Sequence, residues 1–290
     1  MSMIKSPLIS LLFFALALVP LTAQATDAHA ATHPSNADSV KPGNTLILSA
    51  PPRGTLADET LNYQPVADFL SRIVGKKVVY QHSDNWLSYT SDMTKDKFDF
   101  VFDGPHFNGW RMEKQNHTPL VKLPEDFIFV VIVKTDNTAF QNMKKLAGQR
   151  ICAHAPPNLG TLTMLKQFDN PSRQPLIIEV QGWDKSYNSL MAGKCVATVM
   201  PVKIKEKMDK SNLTRILYTS QVLPNQAISA GPRIAPEIQA KLKQALLSEE
   251  GKAATAKLRS AYAGKDFVSA TREEYAGLGI YLNDSPYYSN

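Results

Sequence analysis

The chain has 290 residues, 43% of them hydrophobic and 20% charged, with a formal net charge of +6. That length suits one large domain or two of ordinary size. The positive excess is spread along the chain, which excludes the clustered basic face of a nucleic-acid groove; residues 203–210 (KIKEKMDK) concentrate charge but mix its sign, as a solvated helix face does.

At the start, Lys5 precedes an apolar stretch over 8–21 and the small-x-small run Ala23-Gln24-Ala25, so residues 1–25 read as a signal peptide. No cysteine follows the apolar stretch, and polar sequence succeeds it at once, which argues against a lipid or helical membrane anchor. Residues 26–43 are small, polar and aperiodic, and read as a flexible leader. Beyond them the longest apolar run, 127–133, is too short to span a bilayer. The expected product is an exported protein of the periplasm. In that oxidising compartment Cys152 and Cys195 are expected to form a disulfide; two buried thiols are the alternative.

The mature sequence alternates strand-like and helix-like segments. A strand over 45–50 is followed by a helix over 63–74, with Val66, Phe69, Leu70 and Ile73 on one face. A strand over 77–81, a helix over 86–94 and a strand over 98–102 lead to a Gly-Pro corner and a third helix. The run 127–133 (FIFVVIV) reads as a long buried strand. The pattern then restarts, with strands over 149–154, 176–180, 194–200 and 215–219 and helices over 160–168 and 183–192. A strand over 225–230 reads as a return crossing, and helices follow over 237–247, 251–261 and 272–278. Such alternation predicts βαβ units. The expected architecture is α/β, a two-lobed clamshell of mostly parallel sheets, with lobe I over 44–134 and 225–290 and lobe II over 135–224. A single doubly wound sheet is the alternative.

Ligands of open α/β sheets bind at the carboxyl ends of the strands, so the loops there supply the candidates. Arg53, after the first strand, offers a forked cation to an oxyanion, unless it is a plain surface residue. Trp86 and Tyr89 share a face of the second helix, as a ligand platform or as core. At the third junction, Asp103 reads as a helix cap or as a ligand carboxylate favouring a cationic ligand group. Beside it, Gly104, Pro105 and His106 open a helix, and His106 shares a face with Trp110. In lobe II, Asn158, Gly160 and Thr161 start a helix after Pro156-Pro157, either gripping an oxyanion or only capping themselves. Trp183 lies at the next strand end, in the cleft or in the core.

The order Tyr63-x-Pro65-Val66-x-Asp68-x-Leu70, Asp99-x-x-x-x-Gly104-Pro105, the Pro156 loop and Leu223-Pro224-Asn225 resembles the phosphate/phosphite/phosphonate-type substrate-binding proteins of ABC transporters. The resemblance runs from Thr45 to Tyr262. It implies a type II periplasmic-binding-protein clamshell without enzymatic activity or cofactor. It also implies a small-molecule oxyanion ligand held by helix N-termini of both lobes, and a membrane permease as partner. Phosphonate-binding members carry a Ser-Thr-Ser-Gly-like run after the proline; here Asn158, Leu159, Gly160 and Thr161 leave at most one hydroxyl. Asp103 with Trp86, Tyr89 and Trp110 points to a zwitterionic or amine-bearing ligand.

The expected protein is a monomer that captures a small oxyanion or phosphonate-like solute for an ABC permease and binds no nucleic acid. Reporting a ligand to a membrane sensor kinase is one alternative. A metal- or iron-binding clamshell using Asp103, His106, His154 and a tyrosine is another. Enzymatic readings, with Cys152 and His154 or with Asp99 and Asp103, find no supporting catalytic signature.

Overall fold

The computed structural model describes residues 45–262 and 264–283. The expected signal peptide and leader lie outside them. Among the described residues no helix is long and apolar enough to cross a membrane.

The first half of the chain runs β1 (Thr45–Ser49), α1 (Leu56–Val74), β2 (Lys77–Gln81), α2 (Trp86–Thr94), β3 (Phe100–Asp103), α3 (Pro105–Gln115), β4 (Thr118–Lys122), β5 (Phe129–Lys134), β6 (Arg150–Ala153) and α4 (Leu159–Leu165). The second half runs β7 (Leu176–Glu179), α5 (Trp183–Met191), β8 (Ala197–Pro201), α6 (Val202–Met208), β9 (Thr214–Thr219), β10 (Ala227–Ala230), α7 (Pro236–Leu247), α8 (Glu249–Ala261), β11 (Val268–Ser269), α9 (Arg272–Tyr275) and α10 (Ile280–Asn283).

These strands form two sheets, ordered β11-β4-β10-β3-β1-β2 in lobe I and β7-β6-β8-β5-β9 in lobe II. The parallel pairings are β1 with β2 and β3, and β6 with β7 and β8. All the others are antiparallel, so the sheets are more mixed than the alternation alone implies. The antiparallel members are the strands by which the chain leaves or re-enters a lobe, together with the short β11. The expected boundary after residue 134 also moves. Strand β5 is not the crossing itself but sits between β8 and β9 in lobe II. Its continuous apolar sequence reflects that central place, buried on both faces.

The crossings are the segments 123–128 and 220–226, held together by an antiparallel bridge between Phe127 and Leu223. Phe127 N–H donates to Leu223 O at 2.9 Å, and Leu123 N–H donates to Gln226 O at 3.1 Å. The Asn225 amide donates to Glu125 O across the pair at 2.9 Å.

Local chemistry explains where the elements depart from the periodicity. Helix α1 starts about two turns earlier than expected, because Thr55 caps it by accepting from the Asp58 N–H at 3.2 Å. Pro65 then sits inside the helix, withholding the N–H that the Leu61 carbonyl would accept. Burial of Tyr63, Val66, Phe69 and Leu70 against the lobe I sheet holds the helix through that gap. Strand β4 is not among the expected elements, and it holds Pro119, a residue unusual inside a strand. It is tolerated because the pairing to β10 is irregular there: Ile228 faces Val121 and Ser229 faces Pro119, leaving Leu120 as a bulge. The last expected helix stops at Tyr275, and Gly277 turns the chain at φ +74°.

After that turn the chain touches both lobes. Gly279 packs so closely on α3 that a Cβ on Gly109 would lie 2.6 Å from the Gly279 nitrogen. Leu278 and Tyr281 lie against the lobe II core, where the Tyr281 hydroxyl is bonded to Gln221. Leu282 is fully buried among Trp86, Phe107 and Leu162.

Cys152 in β6 and Cys195 just before β8 are joined in a disulfide, as expected, with Cα atoms 5.7 Å apart and a separation of 43 positions in sequence. The link staples the parallel pair β6–β8 and removes Cys152 as a nucleophile. In the chain-entropy account a loop of this size contributes roughly 4 kcal/mol. The double variant Cys152→Ala/Cys195→Ala should lose about 3–5 kcal/mol of unfolding free energy in urea; a loss below about 1 kcal/mol would show that the staple is idle.

Candidate functional site

Strand β3 ends on Asp103, fully buried at the start of α3. Its oxygens are both taken within lobe I. The Tyr89 hydroxyl donates to Oδ1 at 2.5 Å and Arg111 Nε donates to Oδ2 at 2.7 Å, while Arg111 Nη2 donates to the Tyr89 hydroxyl at 3.0 Å. Burial, then Asp103, pushes the Tyr89 pKa well up, so the phenol keeps its proton. The Tyr89 ring stacks on Phe98 and meets Phe107 edge-on. Asp103 and Tyr89 are thus a closed structural network, and the cationic ligand end expected at Asp103 has no carboxylate left to meet. Sequence reading missed Arg111, eight residues on and two helical turns into α3, which is the partner that closes it.

Arg53 stands differently. The Glu59 carboxylate shapes its loop, accepting from the Arg53 and Gly54 N–H groups at 2.7 and 2.9 Å, while its other oxygen accepts from the Tyr80 hydroxyl and meets His82 Nδ1. That leaves the guanidinium to reach inward. Nη1 donates to the Tyr262 hydroxyl at 3.3 Å, and the cation lies 5.7 Å from the centre of that ring. The Tyr262 and Tyr63 hydroxyls pair at 3.1 Å. Among the described residues no carboxylate closes on the guanidinium. A group that stays charged at any working pH is therefore held beside the lobe interface with no carboxylate bonded to it among the described residues.

Gly104 makes room for this. A Cβ there would lie 3.1 and 3.2 Å from Cε1 and Nδ1 of His106 and 4.0 Å from Arg53 Nη2. Pro105 begins α3 and Gly104 offers no side-chain cap. His106 is buried, and its Nε2 lies 3.0 Å from the Pro157 carbonyl oxygen of lobe II. This contact joins the two lobes directly.

From lobe II, His154 at the end of β6 is equally buried, with both ring nitrogens unpartnered among the described residues. Its ring centre lies 4.3 Å from that of Trp183 and 6.5 Å from that of Trp86. Burial, with the nearby Arg53 cation adding to it, pulls the pKa of both His106 and His154 down to about 3. They are neutral imidazoles in a closed setting. His154 was considered from sequence only as a base or metal ligand; its place at the carboxyl end of a strand is the signal that could have marked it.

The other lobe II candidates turn inward. Asn158 Oδ1 accepts from the Gly160 and Thr161 N–H groups at 3.0 and 3.4 Å, and the Thr161 hydroxyl donates to the His154 carbonyl at 2.6 Å. This is the capping alternative: the donors expected to grip an oxyanion already have acceptors. Gly160 serves packing, because a Cβ there would come within 2.5 Å of the Phe129 ring. Between the lobes lies a cavity of about 270 Å³, walled by Asn85, Trp86, Leu87 and Thr90 of lobe I and by Ala155, Pro156, Pro157 and Glu179 of lobe II. The structure therefore gathers Arg53, Gly104, Pro105, His106, Trp86 and Trp183 around the interface, adds His154, and assigns Tyr89, Asp103, Asn158, Gly160 and Thr161 to its support. Among the described residues no group of three or more His, Cys, Asp or Glu is placed to hold a metal ion.

The family model described as "ABC transporter, phosphonate, periplasmic substrate-binding protein" matches residues 49–275. The chain belongs to that family. Phosphonate-type periplasmic substrate-binding proteins bind small molecules for an ABC permease and are not enzymes, and the family places them in the periplasm. Solved structures show the same fold. PhnD1 from Prochlorococcus marinus, in complex with methylphosphonate, is similar with a TM-score of 0.67 at 13% identity, covering 83% of this chain and 97% of that one. The binding protein component of an ABC phosphonate transporter from Pseudomonas aeruginosa gives 0.63 at 10% identity, covering 80% and 83%. A Xanthomonas citri protein bound to ATP gives 0.63 at 12% identity, covering 83% and 98%. The curated proteins yield no match.

Two predictions follow from the geometry of this substrate-binding protein. Arg111→Met strands the Asp103 carboxylate in the core and should cost about 3–5 kcal/mol of stability in urea denaturation. A loss under about 1 kcal/mol would mean that the pair is not needed. The second concerns acid. The folded-state pKa of His106 and His154 is about 3, below the ordinary 6.5, so on acidification the unfolded chain takes up protons first. Their contribution is whole above about pH 6.5 and is lost as pH falls toward about 3. Unfolding free energy at about pH 4.5 should be lower than at neutral pH by roughly 2–3 kcal/mol per histidine, and His154→Gln should flatten the difference by one such share.

Proposed function

We propose that the chain is an exported, monomeric solute-binding protein that closes its two lobes on a small phosphonate-like oxyanion and presents it to an ABC permease. The observation that carries this reading is the guanidinium of Arg53, which has no carboxylate partner among the described residues and faces neutral imidazoles with unpartnered nitrogens. A half-buried cation with no carboxylate bonded to it is a favourable place for an anion. A forked guanidinium suits two oxygens of one tetrahedral ion. The imidazoles orient such an ion without adding charge. The methylphosphonate complex of the Prochlorococcus protein is consistent with this ligand class. Since Asp103 is already paired with Arg111, a cationic ligand end is not required.

The mature protein should show a thermal shift with at least one of phosphate, phosphite, methylphosphonate and 2-aminoethylphosphonate. Ligand at a hundred times its dissociation constant stabilises the fold by about 2.7 kcal/mol. Arg53→Met should weaken that binding by roughly a hundredfold, the loss of charge-assisted hydrogen bonds, with the circular dichroism spectrum unchanged. If no oxyanion shifts the melting point, the reading fails.

A further inference from the structure

The contact between His106 and Pro157 fixes more than the approach of the lobes. A carbonyl oxygen only accepts, so at 3.0 Å from Pro157 O the Nε2 atom of His106 must carry the proton. A neutral imidazole has a single N–H, and Nδ1 is therefore a bare lone pair. That nitrogen is buried and has no partner among the described residues. It faces the space left by the missing side chain of Gly104, 3.2 Å from where a Cβ would stand, with Arg53 Nη2 4.0 Å from the same point. A cation and an acceptor thus look into one small volume at the start of α3.

The groups around the ring keep the acceptor an acceptor. Burial first, and then the Arg53 cation, resist protonation of His106. Asp103, the nearest carboxylate in sequence, is turned to Arg111 and Tyr89. His154 from β6 is itself neutral, and the Tyr262 hydroxyl is engaged with Arg53 and Tyr63.

We propose that His106 makes the site selective for an oxyanion that still carries a proton, a monoanion with an acidic O–H such as a hydrogen phosphonate, over oxyanions whose oxygens can only accept, such as sulfate and sulfonates. The inference rests on the oxyanion reading above. An ion of the favoured kind offers its charge to Arg53 and its O–H to Nδ1 of His106. A sulfonate of the same shape and charge sets an oxygen lone pair against the nitrogen lone pair and leaves a buried acceptor unpaired. Sites built to pair with a ligand hydroxyl reject analogues lacking one far more strongly than apolar pockets reject a missing methylene. His154, with one donor and one acceptor nitrogen and neither paired among the described residues, has the same dual character.

The test compares methylphosphonate with methanesulfonate by calorimetry at about pH 6, where a phosphonate retains one proton and the two ions match in shape and charge. Methylphosphonate should bind roughly a hundredfold more tightly or better. His106→Phe, which has no acceptor, should bring the two affinities within a few-fold of each other. His106→Gln, whose amide can both donate to Pro157 and accept from the ligand, should retain the discrimination. Equal affinities in the unaltered protein, or tighter binding of the sulfonate, would overturn this inference and leave the oxyanion reading standing. If neither ion binds, and phosphate and phosphite also fail, the oxyanion reading falls and the inference falls with it.

Discussion

A carboxylate and two cations lie near the start of α3, and the pairing among them decides what the cleft can hold. Asp103 goes to Arg111, inside lobe I and away from solvent, with Tyr89 closing the triangle. Arg53 is left without an ion pair among the described residues. Had Asp103 reached Arg53 instead, the cleft would be neutral and Arg111 would be the stranded charge. The direction of one buried side chain thus decides which of the two arginines is ion-paired.

The lobes contribute unequally to that field. Lobe I supplies the guanidinium and the uncapped start of α3, whereas lobe II supplies an imidazole, a carbonyl, the apolar Ala155-Pro156-Pro157 wall and the Glu179 side chain. The α4 donors that would have made the arrangement symmetric are taken by Asn158. Lobe II therefore mainly shapes and encloses, while the cation of the candidate site sits with lobe I. The disulfide fits this division, since it stiffens the pair of strands from whose ends His154 and the walls project.

Much of this was readable in the sequence. The alternation of apolar strands and amphipathic helices gave the two-lobed α/β plan, the loops after β1 and β3 pointed to Arg53 and His106, and an even cysteine count in an exported chain pointed to the disulfide. Other features were hidden for specific reasons. Pro119 disguised β4, because a bulge that excuses a proline depends on the partner strand. The central place of β5 was hidden because a continuous apolar run looks alike in a crossing and in a sheet interior. Asp103 could cap, bind or pair, and only the distant Arg111 and Tyr89 side chains decide among these. The self-capping of Asn158 is a matter of rotamer, which spacing does not convey.

The close approach of Gly279 to Gly109, with Tyr281 on one lobe and Leu282 beside Trp86, has a mechanical consequence. Two antiparallel strands alone would behave as a door hinge, free to swing and to twist. A third attachment that touches both lobes adds a restraint that the two strands alone do not supply. Since Gly279, Trp86 and Phe107 all belong with lobe I, a wide swing must part this segment from lobe II, pulling Tyr281 off that core and Leu162 away from Leu282.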